Sequence, residues 1–252
     1  MLLKVSLSIA VTVYLLGAAL LYYFQRDLLY FPSPEYQHDL DVMELYNGGE
    51  TLKISVLNPN QAKAIIYFGG NAEPVIFNQE PFVENFSEHT IYLMNYRAYG
   101  GSSGQATEQA LFSDALALYD LVERKHATIS AFGRSLGTGV ASYLATQRKI
   151  DALALITPYD SIASVAQKRF PIYPVQLLIK DKYDSLSRAS QISSKVLIIM
   201  AELDAVIPNW HSQRLLEAFS SDQAVSLVIP GADHNNVSLS PQYFPELVRF
   251  FE

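Results

Sequence analysis

Seven short runs rich in β-branched and aromatic residues punctuate the chain: "LKISVL" (52–57), "KAIIYF" (63–68), "TIYLMNY" (90–96), "ATISAF" (127–132), "ALALIT" (152–157), "VLIIMA" (196–201) and "AVSLVI" (224–229). Several lack polar residues at alternate positions. A strand with one wet face alternates, whereas a strand covered on both faces of a parallel sheet does not. The intervals between runs are long enough for helices. In "TEQALFSDALALYDLVERKH" (107–126), Ala110, Leu111, Ala115, Leu118 and Leu121 recur at helical spacing, and Glu108 suits the positive end of a helix. "PNWHSQRLLEAF" (208–219) and "SPQYFPELVRFF" (240–251) read as later helices. The alternation predicts an α/β protein: an open, mostly parallel sheet of about eight strands with helices on both faces and right-handed crossovers. In such sheets ligands bind outside the carboxyl ends of the strands, so chemistry is sought there.

The run 127–132 leads directly into Gly133-Arg134-Ser135-Leu136-Gly137, followed at once by the helix-compatible "TGVASYLATQ". The pattern G-x-S-x-G alone is weak, since about one chain of this length in ten carries it by accident. Its strand-to-helix setting strengthens it: a sharp turn there projects a serine hydroxyl above the sheet, and small neighbours let strand and helix approach. A serine needs a base, and five histidines are available. His38 lies in a connector, His89 precedes a strand, His126 closes a helix and His211 sits at a helix start, positions suited to structural or solvent-facing roles. His234 follows the last strand run through the polar loop "PGADHNNV", from which an imidazole can reach the turn. The carboxylate that orients the imidazole is expected at another strand end. There "AELDAVIP" offers Glu202 and Asp204, and Asp204, further into the loop, is preferred. The order Ser135, Asp204, His234 differs from that of the other common serine-protease types. An oxyanion formed at Ser135 would be received by the amide of Leu136 and by that of Asn71, which follows Gly69-Gly70 after an early strand. A plain Gly-Gly turn is the simpler account of that loop. Arg134 has no assigned role.

Half of the 252 residues are hydrophobic and 17% are charged, which excludes a disordered chain. A net charge of −7 without a local basic cluster argues against nucleic-acid binding. The absence of cysteine removes disulfides, thiolate metal sites and cysteine nucleophiles. No metal or cofactor is expected. Residues 5–24, "VSLSIAVTVYLLGAALLYYF", carry no charge and as a helix would reach ~30 Å, the thickness of a bilayer's hydrocarbon core. Tyr22 and Tyr23 stand where an interfacial belt would lie. An uncleaved single-pass anchor is favoured over a signal peptide cut near Gly17 and Ala19 and over a buried core helix. The flanking charges lean towards an extracytoplasmic domain. The expected division is an anchor at 1–26, a proline-containing connector at 27–41, and a globular domain at 42–252 whose variable segment spans about 158–191.

The segments "QRDLLYFPSP", "YFGGNAEPV", "MNYRAYGGSSGQATE", "FGRSLGTGVAS", "LITPYDSIASVA", "AELDAVIP" and "GADHNNV" together resemble the α/β-hydrolase superfamily. Within it they resemble the membrane-anchored bacterial serine hydrolases related to eukaryotic abhydrolase-domain proteins, some of which hydrolyse lipids or protein thioesters. The resemblance covers nearly everything after the apolar run. It implies the α/β-hydrolase fold with a short cap at 158–191, a Ser135–His234–Asp204 triad, and an acyl ester or thioester substrate. Many superfamily members have His-Gly where this chain has Gly69-Gly70. Tyr99, in "NYRAYGGSSG", corresponds to a loop beside the pocket and either touches substrate or packs. "FPIYPVQLLI" (170–179) either lines an acyl pocket, dips towards a membrane, or packs the cap onto the sheet. A peptidase of the same fold and a non-catalytic binding module are the alternative functions.

Overall fold

The computed structural model describes residues 2–252. Eight strands form one sheet: β1 (Asp41–Asn47), β2 (Glu50–Leu57), β3 (Lys63–Phe68), β4 (His89–Met94), β5 (Thr128–Arg134), β6 (Ala152–Ile156), β7 (Lys195–Ala201) and β8 (Ala224–Ile229). Their order is β1-β2-β4-β3-β5-β6-β7-β8. β1 pairs with β2 and β2 with β4 antiparallel, and every later pairing is parallel. All seven runs became strands. The eighth, β1, alternates weakly because it is an edge strand with Leu45 alone buried.

Nine helices accompany the sheet among the described residues: α1 (Leu2–Leu29), α2 (Gln79–Asn85), α3 (Glu108–Val122), α4 (Leu136–Gln147), α5 (Ile162–Arg169), α6 (Val175–Leu178), α7 (Ser185–Arg188), α8 (Asn209–Leu216) and α9 (Tyr243–Phe251). The central strands are covered on both sides, which is why their sequences do not alternate. Leu111 and Leu118 of α3, Val140 and Leu144 of α4 and Leu215 of α8 pack with Ile66, Leu153 and Ile198 in one core. Phe82 of α2 and Leu247 and Phe251 of α9 pack with Ile65, Phe132 and Ile199 in the other. Each such fully buried side chain contributes about 1.5–3 kcal/mol. Helix α3 starts where Thr107 accepts a hydrogen bond from the Ala110 amide at 3.1 Å, a side-chain N-cap.

Helix α1 is long and apolar enough to cross a membrane, and the rest of the protein buries none of its most apolar stretch. It runs on to Leu29, beyond the expected limit of 26. Residues 30–40 have no regular structure, yet Tyr30 and Ser33 are buried. The Tyr30 hydroxyl lies 2.8 Å from that of Tyr183, and Ser33 accepts the Gly100 amide at 3.0 Å. Segment 158–191 carries α5, α6 and α7 beside the second half of α1.

Candidate active site

The turn between β5 and α4 places Ser135 at φ 48° and ψ −115°, a left-handed conformation that costs a non-glycine residue about 1–3 kcal/mol. It persists because the surroundings fix it. The Ser135 amide donates to the Ile156 carbonyl on β6 at 2.9 Å, and the Thr138 hydroxyl donates to the Ser135 carbonyl at 2.6 Å. Two glycines permit the turn. A Cβ on Gly137 would collide with the carbonyl oxygen of Phe68 at the end of β3, and one on Gly133 would collide with the backbone of Gly137 and Thr138. Strand and helix therefore approach to a distance that only hydrogen side chains allow.

The loop after β8 brings His234 over this turn. Its Nε2 lies 2.9 Å from Ser135 Oγ, and its Nδ1 lies 2.7 Å from Asp204 Oδ2. Asp204 follows β7, and its other oxygen accepts the amides of Val206 at 2.9 Å and Ile207 at 2.7 Å. These two amides orient the carboxylate. Ser135, Asp204 and His234 are all buried. Glu202, the less favoured candidate, instead accepts the Gly231 amide at 2.7 Å and fastens the β7 and β8 loops together. His126 contacts the Tyr92 hydroxyl at 2.8 Å, and His211 is enclosed against Asp160 at 2.7 Å.

The Gly69-Gly70-Asn71 loop passes directly over the serine, where a Cβ on Gly70 would stand 3.5 Å from Ser135 Cβ. The Gly70 amide is engaged by Glu73 Oε2 at 2.6 Å. The amide of Asn71 is left without a partner among the described residues. That of Leu136, the first residue of α4, lies outside the helix's own hydrogen-bond ladder. The Asn71 side chain is spent on holding the loop. Its Nδ2 donates to the Leu29 carbonyl at 2.6 Å, and its Oδ1 accepts the Tyr99 hydroxyl at 2.7 Å and the Phe31 amide at 2.9 Å. Tyr99 is enclosed by the protein, and its hydroxyl also accepts from the Phe31 amide at 3.0 Å.

Two residues that sequence reasoning left without a role stand at the centre of this arrangement. Arg134 donates to Glu73 Oε2 at 2.9 Å and to the His234 carbonyl at 3.1 Å. Glu73 also accepts from the Tyr67 hydroxyl at 2.6 Å and from Asn78 at 2.7 Å. Burial alone would raise the Glu73 carboxyl, but the Arg134 guanidinium, helped by Tyr67, Gly70 and Asn78, holds it below its ordinary value. Burial alone would lower the Arg134 guanidinium, but the attraction and hydrogen bond of Glu73, joined by Tyr67 and Tyr243, hold it above its ordinary value. The arginine thus joins the loop after β3, the serine turn and the histidine loop. Arginine in a glycine turn that does not require it was the only signal for this in the sequence.

No protein-family model matches the chain. An uncharacterized protein of Mycobacterium tuberculosis is 36% identical over 154 residues, which cover 60% of this chain and 54% of that protein. Human protein ABHD12B is 28% identical over 206 residues, 70% of this chain and 57% of that protein. The chain spans about half the length of these curated relatives. Among solved structures, the Pyrococcus furiosus esterase Pf2001 matches with a TM-score of 0.71 at 16% identity, over 87% of this chain and 98% of its own. Est1E from Butyrivibrio proteoclasticus, solved with ferulic acid bound, matches with a TM-score of 0.67 at 17% identity, over 82% and 98%. Strand order, the serine turn and these likenesses agree: the chain is a protein of the α/β-hydrolase fold, related in sequence to human ABHD12B.

Proposed function

We propose that the chain is a serine hydrolase that cleaves an acyl ester or thioester through a covalent acyl-enzyme. The observation that carries this reading is the unbroken series Ser135 Oγ–His234 Nε2 at 2.9 Å and His234 Nδ1–Asp204 Oδ2 at 2.7 Å, set on a strained turn. Ser135 Oγ attacks the carbonyl carbon while its proton passes to His234 Nε2. The carbonyl oxygen becomes an oxyanion and receives hydrogen bonds from the amides of Leu136 and Asn71. Asp204 fixes the imidazole tautomer and stabilises the imidazolium. Collapse of the intermediate breaks the bond to the leaving alcohol or thiol, which takes the proton from Nε2. Water then attacks the acyl-serine, gives its proton to Nε2, and releases the carboxylic acid with Ser135 restored. Tyr99 serves this scheme by holding Asn71.

Helix α1 anchors the domain in a bilayer, with the domain on the extracytoplasmic side. Its length, its apolar surface and the absence of any cover over its most apolar stretch support the anchor and speak against a core helix. The side rests on the charges that flank it, Lys4 before and Arg26 and Asp27 after. The esterase named among the structural likenesses supports an ester as substrate.

A fluorophosphonate probe tests the chemistry. The folded, detergent-solubilised protein is expected to be labelled covalently, and S135A to lose labelling altogether. An unlabelled folded protein would leave a binding module. Comparing acyl esters and thioesters of increasing chain length with short peptide amides then assigns the bond, and preferential amide cleavage would make the protein a peptidase.

A further inference from the structure

We propose that the tip of the cap, residues 170–179, is embedded in one leaflet of an anionic phospholipid bilayer alongside α1. This inference rests on α1 crossing the bilayer, and four observations then set the depth of the cap.

The cap is fastened to α1 in register. Near the base, Arg26 pairs with Asp181 at 2.8 Å, and Gln25 donates to the Leu178 carbonyl at 3.3 Å and accepts the Lys180 amide at 2.6 Å. Near the tip, the Tyr14 hydroxyl donates to the Ile172 carbonyl at 3.0 Å, and the Tyr14 and Tyr173 rings stack at 5.0 Å. Gly17 lets Tyr173 lie against the helix, since a Cβ there would collide with the Tyr173 hydroxyl. Tyr14 and Tyr22 are ~12 Å apart along a helix axis, and one leaflet contributes ~15 Å of hydrocarbon. A spanning α1 therefore carries the cap tip through most of one leaflet.

The surface of the tip suits that depth. Ile172 and Leu177 are 69% and 84% exposed, and Pro171 and Pro174 are exposed beside them. In water, four neighbouring exposed apolar residues have no role in the fold. Exposed Gln176 is the one uncharged polar side chain among them, and the basic residues form a collar at the other end. Lys168, Arg169, Lys180 and Lys182 are all exposed, and within 168–182 only Asp181 opposes them, in a chain of net charge −7. Lys180 Nζ stands 4.3 Å from the centre of the Tyr22 ring, placing this charge at the level of the aromatic belt of α1. Basic residues at that level meet the headgroups of anionic lipids.

A cavity of about 130 Å³ separates cap and helix at the same depth, lined by Leu21 and Leu28 on one side and Phe170, Val175 and Leu178 on the other. Leu29, whose carbonyl holds Asn71, also lines it.

The chain contains one tryptophan, Trp210, so tryptophan fluorescence can be made site-specific. In a W210F background, the protein carrying I172W or L177W is reconstituted into vesicles of phosphatidylcholine or of phosphatidylglycerol, with or without brominated acyl chains. A third protein carries L7W, on the part of α1 away from the cap. The inference predicts that all three lose most of their emission in brominated lipid and resist aqueous iodide. Quenching of L7W alone, with I172W and L177W open to iodide, would overturn the cap inference and leave the anchor standing. If none responds to brominated lipid, the anchor and the cap inference fail together. Quenching of I172W is expected to be stronger in phosphatidylglycerol, and K168Q/R169Q/K180Q/K182Q to abolish that difference. Equal quenching in the two lipids would refute the anionic preference.

Discussion

Arg134 and Glu73 show what holds the serine turn beyond the three side chains of the proposed triad. The guanidinium joins Glu73 beside the Gly70 loop to the His234 carbonyl, so it sets the distance between the proposed oxyanion donor and the proposed base. Lysine keeps the charge but offers no planar fork with which to reach both partners. R134K is therefore expected to lower kcat about tenfold with little change in KM, short of the ~10²–10³ lost when a donor is removed outright. Steady-state kinetics on a soluble ester would test this, and an unchanged kcat would reduce Arg134 to a stabilising residue. Glu73 also gives a prediction with a definite sign. Its folded pKa lies below the ordinary 4.5, so it contributes stability at pH values above 4.5 that is lost as pH falls through the folded value. The urea midpoint of the native protein should exceed that of E73Q at neutral pH, and the gap should close in acid. A constant gap would contradict the pairing. The positions of Ser135, Asp204 and His234 could be anticipated because each ends or follows its own strand run. The Arg134–Glu73 pair could not. Its members are 61 residues apart in the chain, and they meet because β3 and β5 are neighbours in the sheet.

Among the elements, the β5–α4 junction is the least tolerant of change. Gly137 lies where α4 passes the end of β3, and the atom in its way is a backbone carbonyl that cannot rotate aside. G137A should therefore lose the cooperative thermal transition, or show a melting temperature many degrees lower. An unaffected Tm would mean that helix and strand can separate at no cost. The buried strands were readable from composition alone, since burial on both faces erases alternation. β1 was not readable, because an edge strand that buries one side chain leaves almost no pattern. The segment after α1 was harder still. Proline and polar residues around 32–39 signal irregular backbone, and the backbone is irregular. Nothing local reveals that Tyr30 would be buried against Tyr183 or that the Phe31 amide would be held by Asn71 and Tyr99.

For the molecule as a whole, the sequence separates a hydrophobic helix from a hydrolase-like domain, whereas the structure joins them. The last residue of α1 and the second residue beyond it are bonded to the loop over Ser135: Leu29 through its carbonyl to Asn71 Nδ2, and Phe31 through its amide to Asn71 Oδ1. A spanning helix adjusts its tilt when the hydrocarbon around it thins or thickens. If α1 spans as proposed, that tilt has a short lever arm, because any rotation of the helix axis displaces the Leu29 carbonyl and, one hydrogen bond later, Asn71, whose backbone amide is the proposed oxyanion donor. The protein would then act as a strain gauge, its turnover reporting bilayer thickness. With a water-soluble ester, so that substrate partitioning plays no part, kcat should peak in vesicles of one acyl length and fall on either side. A flat profile would show that the hinge at residues 30–40 absorbs the motion before it reaches Asn71.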